Sequence, residues 1–567
     1  MSLLVVHIPL VFTVALSVNV FKSDAASFYK NSGWYPHAAV AADAPVCSSA
    51  GTSILKKNGN AVDAAVATQI CQGVVNFEAS GLGGGGFMLI YNRSTGKTEA
   101  IDFRENAPMN AYKTMLLQKD SKPTLTTGVP GELRGMEMAW KKYGQLPWAI
   151  LFEPGISIAE NGFKVTKAVA MGIASSKDSI LKNPAAWSLK QILAPNGTFL
   201  QEGDMMKRPT LAKTLRLIAE QGADVLYNGS LTSQLVEDIN AAGANFTVDD
   251  FHNYTAMSLS PLVGKFQNMT VLGMPPPGSG AVLQLILGIL DLYNMTPSDF
   301  GLLSYQRTIE AFKFAYAQRV HLADPAFVPG IRSQVDFMMD PNTAKKMKEM
   351  ISDNATYPPS YYNITHNVHD KFGTCHFSVV DQDGSAVAVT TTINTSFGSL
   401  VRSNTTGIIF NNEMLDFSTP NRTDIWGLPP NSINFIEPSK RAQSSMSPTI
   451  LVDASGQTAM VTGASGGTRI ISTAALITSG HFIYDQCLVE ATNMSRVHHQ
   501  LLPDFIFMEP GFPEDIKKGL EKIGHRVKYI LLGDKYFSDI QSIVRDSDTG
   551  ILNAVCDNRK GGQPDGF

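Results

Sequence analysis

Cysteine is scarce in this sequence: Cys47, Cys71, Cys375, Cys487 and Cys556 are the five among 567 residues. None forms a Cys-x-x-Cys pair or stands at zinc-ligand spacing from a histidine, which argues against a zinc centre, an iron–sulfur cluster and a disulfide scaffold. Charge is sparse too. Lys and Arg total 46 against 50 Asp and Glu, a net charge of −4, so there is no strong field to hold nucleic acid. Low-complexity linkers and fixed-period repeats are missing, which excludes solenoids and leaves one compact unit as the default. With 44% hydrophobic residues, the chain can fill a large core and is not disordered.

Long apolar runs are also lacking, except one. Residues 3 to 21 contain no acid, Lys or Arg, and read as a signal peptide spanning 1–25, with Ser23 and Ala25 as small residues at −3 and −1. An uncleaved signal anchor is the alternative. Either places the rest outside the cytosol, secreted or on the extracellular face of the plasma membrane. Thirteen Asn-x-Ser/Thr sequons agree with that. They begin at Asn92, Asn196, Asn228, Asn245, Asn253, Asn268, Asn294, Asn354, Asn363, Asn394, Asn404, Asn421 and Asn493. In an oxidising compartment Cys47 and Cys71 are the expected disulfide, being local and flanking the Ala-rich helical segment Ala61 to Thr68. At least one thiol stays unpaired.

The first half alternates helical stretches such as Thr210 to Glu220 with Gly/Pro-rich loops such as Gly273 to Gly280. At Gly373 the character changes. TCHFSVVD reads as a strand, Gln382-Asp383-Gly384 as a turn and SAVAVTTTI as a second strand, because β-branched runs flank an Asp-Gly. PTILVD, the turn Ala454-Ser455-Gly456 and TAMVTG repeat the pattern. Gly466 and Gly467 then precede a helix expected over Thr468 to Tyr484, where glycine amides and the helix dipole favour an oxyanion. Antiparallel sheets covered by helices give an α+β layered sandwich.

Several motifs have bland readings. The run Gly81 to Gly86, GLGGGG, fits a dinucleotide fingerprint only because four glycines satisfy almost any glycine template; close packing or a substrate-facing loop is the better reading. His498 and His499 are adjacent and cannot share a helix face as metal ligands. Cys375 and His376 point to opposite faces of a strand, which excludes a thiol–imidazole pair. Gly373-Thr374 is more informative. Attack by the threonine hydroxyl on the preceding carbonyl, followed by hydrolysis, would free an N-terminal threonine carrying its own base, an amine of pKa ~7.7–8.

A series of segments carries that idea further: NGNAVDAAVA from 58, SGLGGGGF from 80, IDFRENAP from 101 and GTCHFSVVDQDGSAVAVTTTIN from 373. FGS from 397, GIIFNNEMLDFS from 407, KRAQSSMSPTI from 440 and TGASGGTRI from 462 follow in order. Together they resemble the γ-glutamyltransferase (glutathione hydrolase) family of N-terminal-nucleophile hydrolases over nearly the whole chain. The resemblance implies a four-layer αββα sandwich, made of a large subunit 26–373 and a small subunit 374–567 after autocleavage between Gly373 and Thr374.

It further implies Thr374 as nucleophile with Thr392 hydrogen-bonding it, and Gly466 and Gly467 as oxyanion hole. Arg104, Ser444 and Ser445 resemble a clamp for the donor α-carboxylate, and Asn394, Glu413 and Asp416 a pocket for its α-ammonium. Asn394 heads a sequon but is expected to stay bare, since a glycan does not fit a substrate pocket. Cys375 stands where the family commonly has a hydroxyl residue, which is expected to expose activity to oxidation. The implied activity is cleavage of γ-glutamyl amides such as glutathione and its conjugates, with transfer to water or to amino acid or dipeptide acceptors. The two subunits are partners, and no cofactor, metal or nucleic acid is expected. A related acylase with another acyl donor, and an inactive secreted glycoprotein that acts by binding, are the alternatives.

Overall fold

A computed structural model describes residues 30–117, 123–366, 373–421, 428–530 and 537–567. The expected signal segment 1–25 lies outside these. Fourteen strands form two seven-stranded sheets. In chain order they are β1 (Ser32–Tyr35), β2 (Ala39–Ala42), β3 (Gly85–Asn92), β4 (Lys97–Asp102), β5 (Met257–Leu259), β6 (Leu262–Phe266) and β7 (Met269–Gly273), followed by β8 (Thr374–Val380), β9 (Ala386–Thr392), β10 (Thr449–Val452), β11 (Thr458–Ser465), β12 (Asp539–Arg545), β13 (Leu552–Cys556) and β14 (Asp565–Gly566). One sheet runs β1-β13-β12-β11-β10-β7-β6 and the other β14-β2-β8-β9-β3-β4-β5. All these neighbours pair antiparallel.

Helices α1 (Pro45–Leu55), α2 (Ala61–Val75) and α3 (Glu132–Tyr143) cover the second sheet, and α4 (Gly280–Asp291), α5 (Leu302–Arg319) and α6 (Arg469–Phe482) belong to the layer over the first. The order is αββα, as the resemblance implies. Two large cores follow from it. Phe377, Val379, Val387 and Val389 pack under α1 and α2, whereas Ala388, Ile450 and Val461 share a core with α4 and α6.

Local sequence explains the elements nearest the site. Asn60 caps α2 by accepting the Val62 and Asp63 amides, while Asp63 accepts the Asn60 amide; such a cap stabilises a helix by ~1 kcal/mol. The Cys47–Cys71 disulfide ties α1 to α2. The glycine run is a close-packing device: a Cβ on Gly84 would lie 2.0 Å from the Thr392 carbonyl oxygen, so only glycine lets this backbone approach β9.

Among the described residues no helix is long and apolar enough to cross a membrane. Of the sequon asparagines, Asn92 and Asn493 are half-buried, Asn394 is buried and the other ten are exposed.

Candidate active site

The β8–β9 register sets Thr374 opposite Thr392. Alternation along β8 turns His376 toward Gly463 and Ser378 toward the Gln541 carbonyl, both on the facing sheet. Thr374 and Thr392 thus stand at the end of a ladder that fixes their separation, Oγ1 to Oγ1, at 3.5 Å. Thr392 Oγ1 accepts the Asn394 amide at 2.8 Å and donates to the Gly373 carbonyl at 2.6 Å. That carbonyl is the one a Thr374 hydroxyl would attack. Gly373 has φ +152° and a Cβ there would lie 2.5 Å from the Asn394 carbonyl oxygen, so no other residue fits before the threonine.

An open cleft reaches these hydroxyls, and Arg104, Thr374, Thr392, Asn394, Glu413, Asp416, Ser444, Ser445 and Gly467 all line it. Of the residues singled out from sequence, Gly466 sits one residue behind this lining. Gly466 and Gly467 form the turn between β11 and α6. The helix starts at Arg469 with Thr468 as its cap, one residue later than expected, and ends at Phe482 rather than Tyr484.

Arg104 follows β4 and is 1% exposed. Its amide donates to Asp102, its carbonyl accepts from Tyr254 Oη at 2.8 Å, and its Nη2 lies 2.5 Å from Glu413 Oε1 and 2.7 Å from Asp416 Oδ2. Glu413 and Asp416 bound one 3₁₀ turn, Glu413–Asp416. Burial opposes the Arg104 charge, but Glu413 and Asp416 outweigh it and hold the guanidinium firmly protonated. Burial drives the Glu413 carboxyl well above its usual range, with Arg104 opposing. The two carboxyl groups share one guanidinium nitrogen, so their remaining oxygens are acceptors for a further cationic group. Asn394, whose Nδ2 donates to the Asn412 carbonyl at 3.0 Å, stands beside it and is only 4% exposed.

Sequence reasoning missed the supports. Lys560, fully buried, donates to the Thr374 carbonyl, to Asp43 at 2.6 Å and to Ser465 Oγ at 3.1 Å. It lies 186 residues from Thr374 and carries no local signal. Arg319, Asn431, Asn434 and Gln443 also line the cleft; only the neighbourhood of Gln443 to Ser444 hinted at any of them.

Cys375 requires a correction. It is fully buried and burial pushes its thiol well up, so the reactive thiolate is suppressed and the expected sensitivity to oxidation has no structural basis. His376, pushed down to about 3 by burial, bonds Thr390 and Ser378. His498 and His499 are likewise buried, bonded to Ser472 and Gln500 and paired with Asp504 respectively.

A family model described as gamma-glutamyltranspeptidase matches residues 47–567. "Scoloptoxin SSD14" of Scolopendra dehaani is 40% identical over 94% of this chain and 93% of its own length. "Glutathione hydrolase 3" of Arabidopsis thaliana is 37% identical over 93% of this chain and 87% of its own. A cephalosporin acylase from Bacillus halodurans superposes with a TM-score of 0.83 at 25% identity, covering 95% of this chain and 97% of that one.

Proposed function

The chain belongs to the gamma-glutamyltranspeptidase family, and from that premise we propose how its cleft performs the family's reaction. The enzyme is a glutathione hydrolase and γ-glutamyl transpeptidase. Thr374 Oγ1 attacks the Gly373 carbonyl carbon while Thr392 donates to the carbonyl oxygen, so the acyl group moves from nitrogen to oxygen. Water then hydrolyses the ester, leaving a large chain 26–373 and a small chain 374–567 that begins with a free amine.

In turnover that amine takes the Thr374 hydroxyl proton as the oxygen adds to the donor γ-carbonyl. The amides of Gly466 and Gly467 receive the oxyanion. The proton passes to the departing amine, and the γ-glutamyl ester goes to water or to the amine of an amino acid or dipeptide acceptor. Arg104, Ser444 and Ser445 hold the α-carboxylate; Asn394, Glu413 and Asp416 hold the α-ammonium. Arg104 belongs to the large chain and Thr374 to the small one, so the chains remain a heterodimer.

The observation that carries this reading is the single cleft joining Thr374 to Arg104, Glu413 and Asp416. The same group favours an amino-acid donor over another acyl group, even though a cephalosporin acylase shares the fold. Secretion, with cleavage after Ala25 and glycans on the sequons other than Asn394, is supported by the ten exposed asparagines and the disulfide. Incubation with a γ-glutamyl anilide tests the activity. Chromophore released without acceptor marks hydrolysis, and stimulation by a dipeptide marks transfer. Silence in both assays rejects the reading.

A further inference from the structure

Each serine of the carboxylate clamp already accepts a hydrogen bond from within the protein. Ser444 Oγ takes the Met446 amide at 3.2 Å, and Ser445 Oγ takes Nη2 of Arg319 at 2.9 Å. A guanidinium has donors and no acceptor, so the Ser445 proton cannot turn back toward Arg319. It is left for a partner elsewhere, and Ser445 is one of the residues that line the cleft. Two hydroxyls fixed in this sense suit a ligand oxygen that only accepts, which is what a carboxylate supplies.

Arg319 is itself held in place. It is the last residue of α5, where the helix dipole favours a cation, and it is 6% exposed. Its carbonyl accepts Gln443 Nε2 at 2.6 Å; the Gln443 amide donates to Asn434 Oδ1 at 3.1 Å; and Asn434 Nδ2 donates to the Asp416 carbonyl at 2.8 Å. One hydrogen-bonded frame therefore joins Arg319 and Ser445 to the turn that carries the acidic side of the cleft.

We propose that Arg319 is a positioning residue of the donor site: by donating to Ser445 it fixes that hydroxyl as a donor and makes the clamp selective for a carboxylate. This rests on the function proposed above. Arg319 is expected to act on donor binding, which is common to ground and transition states, and to leave kcat nearly untouched.

The test is a double-mutant cycle in the full, processed enzyme, with Arg319→Met, Arg319→Lys, Ser445→Ala and the combined variants. KM and kcat are measured on a γ-glutamyl anilide, alongside the fraction of precursor cleaved and the thermal midpoint. Arg319→Met should raise KM about 10- to 100-fold, the range for a hydrogen bond involving a charged group. Arg319→Lys should recover part of it. In the Ser445→Ala background neither substitution should change KM more than about twofold, because the hydroxyl they act through is gone. Penalties that add in full across the cycle, or an unchanged KM in cleaved Arg319→Met, overturn the proposal. If Arg319→Met fails to fold, the Arg319→Lys arm decides by the same criterion. Wild type that is cleaved but inert on the anilide overturns the functional reading instead, and this inference with it.

Discussion

The two sides of the cleft are built from different material. Thr374 and Thr392 stand on paired strands, where the ladder fixes their spacing. Arg104 lies just past the end of β4, Glu413 and Asp416 sit on a single 3₁₀ turn, and Ser444 and Ser445 lie on a segment without regular structure before β10. Side-chain contacts tie this second side together: the Arg104–Glu413–Asp416 ion pairs and the Arg319–Gln443–Asn434 frame. In the proposed reading the bond-making groups rest on a paired strand ladder, and donor recognition on loops tied together by polar contacts. Damage to the strand side should appear in processing and turnover, and damage to the loop side in donor affinity.

The largest effect should come from Thr374→Ala, which removes the attacking oxygen: a single uncut chain on a denaturing gel, and activity reduced at least about 10⁴-fold. Thr392→Val keeps the shape but loses the proton given to the Gly373 carbonyl. Cleavage should slow by about 10²–10³-fold, as when one oxyanion donor is removed, and kcat should fall through the lost contact with the Thr374 hydroxyl, with KM little altered. A rise in KM alone would blur the division between the two sides.

On the loop side, Arg104→Ala should still be cleaved, because processing uses no donor carboxylate, while kcat/KM drops about 30- to 1000-fold, or ~2–4 kcal/mol. Arg104→Lys should recover only part, since an ammonium lacks the planar fork. A smaller effect concerns pH. Burial holds the Glu413 carboxyl above its usual range, so as pH falls it takes up a proton before an ordinary carboxyl would and loses its pull on the donor ammonium. KM should therefore rise on the acid side, starting well above the ordinary glutamate pKa of ~4.3. Glu413→Gln should raise KM at neutral pH and flatten this dependence, while the kcat profile keeps the titration of the Thr374 amine.

The same division governs what could be read from the sequence. Strands β8 to β11 were legible because β-branched runs flank Asp-Gly and Ser-Gly turns, and α6 because two glycines announce its start. The helix over residues 61–75 was underestimated at its far end, where Gln69 and Gln72 break the Ala-rich pattern yet are buried. Arg104, Glu413 and Asp416 have no periodicity to betray them. Each alone is an ordinary charge, and only the resemblance in motif order grouped them before the structure placed them within an ion-pair distance. Lys560 and Arg319 escaped altogether, because their meaning lies in contacts 186 and 126 residues away that no local pattern encodes.

The central claim is that the nucleophile is made by cutting the chain between Gly373 and Thr374. Intact mass spectrometry of the purified, deglycosylated protein tests it most directly, with and without a brief pulse of γ-glutamyl donor quenched in acid. The expected result is a small chain running from Thr374 to Phe567 that gains one γ-glutamyl group during the pulse. A single uncut chain that still hydrolyses the donor, or a small chain beginning at any other residue, would contradict it.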